Sequence, residues 1–363
     1  MKAKMFRFVR HASVFLIGGF LLFFGQIANV PIASAHVFVS HAQTKLTTAN
    51  SSCSQPSQNV DWMKQSDAQL ETYGLPNSAA ISENPKLWSR IFAHIKHHSC
   101  GSVPNKTTHL LQNNTTCPPG NNSHCHVSEN FAGNEATAGT GTYKEADVEF
   151  NVPTIPTSPS NAQVAVWAGV GGNSLYAQYP SLVQAGVITS VKYGGQYNES
   201  FWEVVPPRGV TPPGGDGPQS LPLANGLHAG DDIIVVVHSN STSYPNQDAF
   251  FIDNVTTGDY NSNHFVNTTN TSWNSDSATA ECIVERLYNA GTGTLYPLAN
   301  FGTERLSSCE AEKNDSSMSY SIGSLPHIYD QIYSDLQGSK LLATVGPISS
   351  DGYNYSVTWL ASS

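Results

Sequence analysis

The sequence lacks the signatures of the common hydrolases and nucleotide-binding proteins. It contains no G-x-S-x-G elbow, no H-E-x-x-H zinc motif and no D-T-G or D-S-G triplet. It also has no P-loop and no G-x-G-x-x-G fingerprint. These gaps argue against a serine esterase, a zinc protease of that type, a paired-aspartate protease and a nucleotide enzyme. We therefore predict neither a cofactor nor a catalytic metal.

Charge is scarce as well. Only 12 % of the 363 residues are Asp, Glu, Lys or Arg, against roughly a quarter in an average soluble domain. The formal net charge is −10, which argues against nucleic acid as a partner. Asn, Ser, Thr and Gly replace the missing charges, and such a surface suits exposure to acid.

The N-terminus predicts export. Four basic residues up to Arg10 precede an apolar run over residues 12–25, and Ala33-Ser34-Ala35 supplies a cleavage site. The run is short for a membrane span of about 20 residues. Residues 1–35 are therefore predicted to be a signal peptide. The mature chain is predicted to be a secreted, extracellular monomer with no membrane attachment.

Cysteine usage agrees with export. The six cysteines are an even number, which suggests disulfide bonds in an exported chain. Connectivity does not follow from the sequence, but two pairs share a segment and are the economical choices, Cys117 with Cys125 and Cys282 with Cys309. No C-x-x-C occurs, so a zinc ribbon or a thioredoxin site is disfavoured.

Residues 36–129 are predicted to form a partly helical propeptide and linker. Ser66 suits the N-cap of a short helix that ends near Gly74. Asn84-Pro85 supplies an N-cap followed by proline at the first helical position. Apolar residues then recur at helical spacing over residues 87–95, so this helix has an apolar face.

The same segment differs in charge from the rest of the chain. It carries a net +1 and eight of the 13 histidines, whereas residues 130–363 carry 22 acidic and 7 basic side chains. This contrast is typical of a propeptide and its enzyme. The apolar helix face could dock on or near the active-site cleft as an inhibitor released in acid, or the segment is only a folding aid or spacer. His94, His97, His98 and Cys100 lie close together in the sequence. A solvated polar helix face is the favoured interpretation of this group, and a metal site is the less favoured one.

From residue 130 onward the pattern changes to β-strands. A continuous β-branched run occupies residues 233–237, and turn residues separate the strand segments at short intervals. Alternating segments occur at residues 147–152, 187–193 and 353–359. We predict an all-β fold over residues 130–363, a two-sheet antiparallel sandwich of the concanavalin or jelly-roll type.

Residues 280–287 place two carboxylates on one side of a strand. If this stretch is extended, Glu281, Ile283 and Glu285 share one face while Cys282 and Val284 point to the other. A sheet face turned to solvent explains the pattern about as well as a catalytic cleft lined by the sheet.

Eight short segments follow one another in an order that resembles the glutamic peptidases, the eqolisin family. Each is unspecific alone, but together they extend over nearly the whole region from residue 130. They are residues 130–133 (like N-W-x-G), 150–153 (N-V-P), 166–172 (W-V-G-I-D-G), 182–186 (L-Q-T-G), 201–206 (W-Y-E-W-Y-P), 254–258 (N-L-T-T-G), 280–285 (A-E-F-I-I-E) and 297–301 (P-F-A-S-F).

The resemblance implies a secreted, acid-acting endopeptidase with its active site on one sheet of the sandwich. It implies Glu285 and Gln184 as the catalytic pair. The carboxylate would serve as general base and then acid, and the amide would stabilise the oxyanion. Trp167, Phe201 and Glu203 are implied substrate-binding residues. Trp167 is equally well a core residue, and Glu203 either contacts substrate or supports Glu285.

Three positions depart from the family pattern. Gly171 stands where the family has aspartate, Phe201 replaces a tryptophan, and Arg286 follows the catalytic glutamate where an acid is usual. Subsite preference and pH profile are therefore expected to differ from the family's. The loop at residues 206–223 is longer than the family's connection, and we expect it to cover part of the cleft.

A secreted sandwich that binds glycan or protein without catalysis is the alternative function, because sandwiches host many activities. The pair of Gln184 and Glu285 favours the enzyme, since a binding module has no reason to carry it. The expected partners are then protein or peptide substrates and the protein's own propeptide as an inhibitor.

Overall fold

The structure is a computed structural model. Its described residues form one compact unit within Thr44–Ser363. The predicted signal peptide, Cys117, Cys100 and most of the 206–223 loop lie outside the described residues, so the predictions made for them stay predictions. No helix in the described part of the chain is long and apolar enough to cross a bilayer. The described residues are 60–95, 97–98, 115–116, 124–173, 181–206, 217–239, 247–266, 275–289, 291–316 and 318–363.

Three short helices form the N-terminal part: α1 (Asp67–Thr72), α2 (Ser78–Glu83) and α3 (Pro85–His94), preceded by a 3-10 turn at Trp62–Lys64. The backbone N–H of Ser66 donates to Gln69 Oε1 at 3.0 Å as part of a capping box. The Asn84 side chain accepts the N–H of Leu87 at 3.2 Å. Both helix starts predicted from the sequence are confirmed.

The remainder of the described chain consists mainly of β-strands. Their bounds are β1 (His97–His98), β2 (Thr115–Thr116), β3 (Cys125–Ser128), β4 (Phe131–Thr137), β5 (Tyr143–Asn151), β6 (Gln163–Gly171), β7 (Leu182–Lys192), β8 (Gly195–Val205), β9 (Gln219–Ser220), β10 (Asp232–Ser239), β11 (Gln247–Asn254), β12 (Asp259–Val266), β13 (Thr279–Glu285), β14 (Tyr288–Asn289), β15 (Thr294–Leu295), β16 (Thr303–Lys313), β17 (Ser319–Ser321), β18 (His327–Tyr333), β19 (Leu341–Val345) and β20 (Tyr355–Trp359). A 3-10 turn at Ile322–Ser324 follows β17.

Apart from the separate pair of β14 and β15, the described strands form two mainly antiparallel sheets. Sheet A has the order β1-β12-β11-β10-β5-β16-β17. Sheet B has the order β9-β8-β7-β6-β13-β4-β18-β3-β2. Strand β19 pairs with the end of β18 on the side opposite β3, and β20 pairs with β19. Strand β16 belongs to both sheets, since residues 303–306 pair with β20 and residues 307–313 pair with β5. The predicted all-β sandwich is confirmed.

Alternating side chains place the main core between the two sheets. Val164, Val166 and Ala168 of β6 meet Ile233 and Val235 of β10 in one buried cluster. A disulfide joins β13 to β16 within this cluster, which confirms the predicted pair of Cys282 and Cys309. Cys125 is also disulfide-bonded. The residues between these core positions point to the outer face of their sheet.

The helices pack on the outer face of sheet A. Trp88 of α3 meets Phe251 of β11 edge to face, with ring centroids 5.2 Å apart. The prediction that the apolar face of α3 docks on or near the cleft is wrong, because Gln184 and Glu285 lie on the outer face of sheet B, across the sandwich. The buried cluster under the helices contains Trp62, Leu70, Leu75, Ile81, Leu87, Trp88, Ile91, Ile95, Ile234, Val236, Phe251 and Tyr260.

Candidate active site

The outer face of sheet B brings together all five site residues predicted from the sequence. Glu285 comes from β13, Trp167 from β6, Gln184 from β7, and Phe201 and Glu203 from β8. Strand alternation explains their common face, since the residues next to each of them along the strands belong largely to the core between the sheets. All five side chains are buried, with at most 2 % exposed, so the site is closed to solvent in this structure.

Strand register divides this face into rows. One row contains Glu281, Gly169, Gln184 and Glu203, and the next contains Ile283, Trp167, Gly186 and Phe201. Glu285 is level with Ala165 in the third row. Glu285 therefore lies about 13 Å along the strands from the Gln184 row. The Trp167 row occupies the space between the predicted catalytic residues.

Trp167 connects the two ends of the site. Its indole Nε1–H donates to Glu285 Oε2 at 2.8 Å. Its six-membered ring lies against Gly169, where an added Cβ would be only 2.8 Å from ring atom Cζ3. The indole thus extends from the carboxylate toward the row that holds Gln184. The sequence left Trp167 open between cleft and core, and the structure gives it a polar contact with the predicted base.

Asn130 approaches the other oxygen of Glu285. Its Nδ2 lies 3.5 Å from Oε1. The Ser128 hydroxyl donates to Asn130 Oδ1 at 3.2 Å, which leaves the amide nitrogen facing the carboxylate. The N–H of Arg286 donates to the Asn130 carbonyl at 2.7 Å and ties the end of β13 to this position. The sequence indicated Asn130 only as part of a motif. Its contact with Glu285 depends on the pairing of β4 with β13, which the sequence alone does not reveal.

Gln184 retains hydrogen-bonding capacity. Its Nε2 donates to Glu203 Oε2 at 2.9 Å, and an amide nitrogen carries two N–H groups. Its Oε1 is buried and accepts no hydrogen bond from the described part of the chain. A buried unsatisfied polar atom costs about 1–3 kcal/mol, and such atoms are typical of sites that receive water or ligand. Glu203 thus contacts Gln184, and its predicted role in contacting substrate or supporting Glu285 stays a prediction.

Glu281 faces another buried carboxyl. It is directly opposite Glu135 on β4, and it accepts the Thr279 hydroxyl at 2.9 Å. Asn173 donates to Glu135 at 2.5 Å. Burial, followed by the charge of Glu135, raises the pKa of Glu281 well above its usual value.

The structure explains why Gly171 replaces the family's aspartate. Its φ is 84°, and a Cβ there would lie 2.4 Å from the Ser181 carbonyl oxygen. Asp276 places a carboxylate at this corner and accepts the N–H groups of Gly172 at 3.0 Å and Ser181 at 2.9 Å. The side chain of Arg286 turns to the Tyr296 carbonyl, to which its Nε donates at 2.8 Å.

The arrangement offers a carboxylate at one end and an amide at the other, with an aromatic surface between them. Such a set can activate water and stabilise an oxyanion without a metal. The described residues contain no group of three or more His, Cys, Asp or Glu side chains placed to hold a metal ion.

Residues 129–352, more than half of the chain, match the model of the Peptidase A4 family. The chain belongs to this family. Its members are the glutamic peptidases or eqolisins, so the resemblance carried by the eight sequence segments is confirmed. As an A4 peptidase, the protein is an endopeptidase that hydrolyses peptide bonds of proteins or peptides. This membership argues against the non-catalytic alternative.

Scytalido-glutamic peptidase shares the fold of this chain, and two further solved glutamic peptidases are similar to it. Scytalido-glutamic peptidase with a transition-state analogue inhibitor has 18 % identity and a TM-score of 0.50, over 64 % of this chain and 98 % of that one. SCP-B, an eqolisin in complex with the tripeptide Ala-Ile-His, has 19 % identity and a TM-score of 0.47, over 64 % and 98 %. Aspergilloglutamic peptidase from Aspergillus niger has 21 % identity and a TM-score of 0.42, over 55 % and 99 %. No curated protein sequence matches the A4 peptidase.

Proposed function

We propose that this A4 peptidase is a secreted endopeptidase that acts in acid, with Glu285 as general base and acid and Gln184 as oxyanion stabiliser. The observation that carries the proposal is the position of Trp167. Its N–H holds Glu285 while its ring lies against Gly169, the residue level with Gln184. A peptide laid across this indole has its reacting carbonyl between the two catalytic groups.

The chemistry follows from that placement. Glu285 takes a proton from a water molecule, and the water oxygen attacks the carbonyl carbon. The carbonyl π electrons move to the oxygen, which accepts an N–H of Gln184. The tetrahedral intermediate then collapses, the C–N bond breaks, and Glu285 gives its proton to the departing amine. Both groups act on one carbonyl, so the mechanism requires the Glu285 carboxylate and the Gln184 amide to converge on it across the Trp167 row when substrate binds.

Acid action is supported by the buried carboxyls of the sandwich. Burial raises the pKa of Asp248 to about 7 and that of Glu304 to about 8. A carboxyl whose pKa is raised by folding stabilises the folded state below its unfolded pKa, and this contribution is lost as pH rises through the folded value. Both groups therefore favour the folded protein in acid and oppose it above about pH 7–8.

Secretion is supported by two independent features. The N-terminal 35 residues have the composition of a signal peptide. The bond between Cys282 and Cys309 fixes a site strand to the opposite sheet, and such bonds form in oxidising compartments.

The test compares three variants with the wild type on a denatured protein and on a fluorogenic peptide, from acid to neutral pH. Glu285→Gln should lower kcat about 10³-fold, within the 10²–10⁴-fold range of general acid–base catalysis. Gln184→Ala should lower kcat about 10²–10³-fold, as for other oxyanion donors. Glu281→Gln is the matched control on the same strand face, and it should keep kcat within about tenfold of wild type.

Two results would contradict the proposal. The first is an inactive Glu281→Gln beside an active Glu285→Gln, which would move the base to Glu281. The second is inactivation by a chelator with recovery on adding zinc, which would indicate metal catalysis. Pepstatin-type inhibitors and serine reagents should have little effect. Circular dichroism and thermal unfolding of each variant separate lost chemistry from lost folding.

A further inference from the structure

Residues 60–95, here called the outer layer, cover the outer face of sheet A. We infer that the outer layer is a permanent part of the folded enzyme, which stays on sheet A after any cleavage of the chain that follows it. This inference goes beyond the proposed function, since it concerns what the mature enzyme contains and not how it cleaves peptides.

The apolar contact is continuous. Eight buried side chains from the layer meet four from sheet A, and those four are at most 4 % exposed. Removing the layer would expose Ile234, Val236, Phe251 and Tyr260 as neighbours on one sheet face. Large exposed apolar patches are uncommon on soluble monomers and promote association. Without the outer layer, the sandwich would therefore expose an apolar outer face on sheet A to solvent.

Polar contacts fix the layer at several points. The Tyr260 hydroxyl donates to the Tyr73 carbonyl at 3.0 Å, and the Ser262 hydroxyl donates to the Gly74 carbonyl at 2.6 Å. Just beyond the layer, β1 pairs in parallel with β12 at the edge of sheet A. Carbonyl groups at the end of α1 are thus satisfied by the sheet, and the chain that leaves α3 continues as a strand of the same sheet.

Charge complementarity identifies this segment as the occupant of the face. Beside the apolar patch, β5 and β16 carry an acidic stripe, defined as Glu145, Asp147, Glu149, Glu310 and Glu312. α3 contains no acidic residue. Its Arg90 pairs with Glu149 at 2.7 Å and donates to the Ser308 hydroxyl at 3.0 Å. The Asn84 amide nitrogen lies 3.4 Å from Glu145 and 3.5 Å from Asp147.

Acid acts on the acidic stripe in opposite directions. Although burial opposes it, the charge of His238 lowers the pKa of Glu145, so the stabilisation from Glu145 is lost in acid. Burial, followed by the charges of neighbouring glutamates, raises the pKa of Asp147, and burial raises that of Glu310. A raised folded-state pKa means that these contributions are present in acid and lost as pH rises. The partly exposed ion pair between Arg90 and Glu149 is lost in acid, but pairs of this kind contribute little to stability. The other charged groups that face the stripe are Lys86 and His94 of the layer, His238 paired with Glu145, and Lys144 paired with Glu312.

The experiment uses the full-length protein with Cys53→Ser and Cys100→Ser, so that no disulfide tethers the cut fragment, and with a site for a sequence-specific protease placed between His98 and Thr115. After cutting, gel filtration under native conditions at acid and at neutral pH is followed by intact mass under denaturing conditions. The fragment that contains the outer layer should co-elute with the sandwich at both pH values. Ile91→Ala, which leaves a cavity beneath α3, should raise the lost fraction of fragment several-fold. Ser89→Ala on the exposed side of the same helix should not.

The outcomes decide the question. Co-elution at both pH values supports a permanent layer, and so does loss of the fragment together with aggregation of the remaining sandwich. Release of the fragment from a sandwich that stays folded and monomeric overturns the inference, and release in acid alone would point to an acid-released propeptide. The readouts are mass and elution, so a failure of the Glu285 proposal leaves this test unaffected.

Discussion

The two outer faces of the sandwich are built for different purposes. Strand β10 is apolar on both sides, with Ile233 and Val235 in the core and Ile234 and Val236 under the helices. Strand β13 is apolar on its inner side only, and its outer side carries two glutamates beside Ile283. A face that the chain covers with its own helices can be apolar. A face intended for a polar reaction must keep buried polar groups in spite of their desolvation cost.

The largest test of this contrast concerns the helical side. Trp88→Ala should destabilise the protein by about 3–5 kcal/mol, because it empties a fully buried aromatic site. Its kcat, measured well below the unfolding temperature, should stay close to wild type, since the helices lie across the sandwich from Glu285. Urea unfolding and peptide hydrolysis measure the two effects. Met63→Ala, at a position 49 % exposed, is the control and should change stability by less than about 0.5 kcal/mol.

If kcat of Trp88→Ala falls together with its stability, the two outer faces are coupled, and the separation between a structural face and a reactive face is wrong.

A second test concerns the core that separates the faces. Asp248 is fully buried and accepts the Ser239 hydroxyl at 2.6 Å, and burial raises its pKa to about 7. Asp248→Asn removes the charge permanently. The variant should be about 2–4 kcal/mol more stable than wild type above pH 7, since one pKa unit corresponds to about 1.4 kcal/mol. In strong acid the two proteins should have similar stability.

Thermal unfolding across pH measures this difference. The exposed Asp315→Asn is the control and should follow the wild-type curve throughout. A wild-type protein that is most stable at alkaline pH would contradict the sign of the effect.

The third test concerns the reactive side. Trp167→Phe keeps an aromatic ring but removes the N–H that holds Glu285, so kcat should fall about 10–100-fold. KM should change by less than about threefold, since an aromatic ring is kept at this position. Trp202→Phe is the matched control, because Trp202 stands on the inner side of β8 with its ring 5.2 Å from Phe250. It should lose stability and keep kcat. Equal kcat losses in both variants would show that the indole N–H has no particular role.

The smallest effect is expected at the edge of the helical side. Arg90→Ala removes the pair with Glu149, whose side chains are 39 % and 26 % exposed. Pairs of this kind contribute about 0.2–1 kcal/mol and are screened by salt. The variant should unfold slightly below wild type in dilute buffer, with a smaller difference at high salt. A loss as large as that of Trp88→Ala would mean that charge, and not apolar contact, holds the helices.

Local chemistry made much of this fold predictable. The N-caps at Ser66 and Asn84 and the alternation of β13 depend on residues close in sequence, and the pair of Cys282 and Cys309 shares one segment. The resemblance to a family supplied Gln184 and Glu285, because no local rule distinguishes a catalytic glutamine from a structural one.

Contacts between residues far apart in the sequence could not be predicted. The contact between Trp167 and Glu285 joins residues 118 positions apart, and it depends on the register of β6 against β13. The surface on which α3 packs depends on which of the two sheets has an apolar outer face. A signal for it was present in the uninterrupted run over residues 233–237, because a strand without polar alternation is buried on both sides.

Strand β16 joins the two sheets along one edge of the sandwich. It leaves sheet B near residue 306 and enters sheet A at Ser307, where Ser308 has a φ of 48° and the register shifts. The disulfide to Cys282 lies one residue further on. The shared strand and the disulfide beside it therefore hold the two sheets together along this edge, and the side near β8 and β12 lies farthest from it. Native-state hydrogen exchange should accordingly be slowest along β13 and β16 and should quicken strand by strand toward that side.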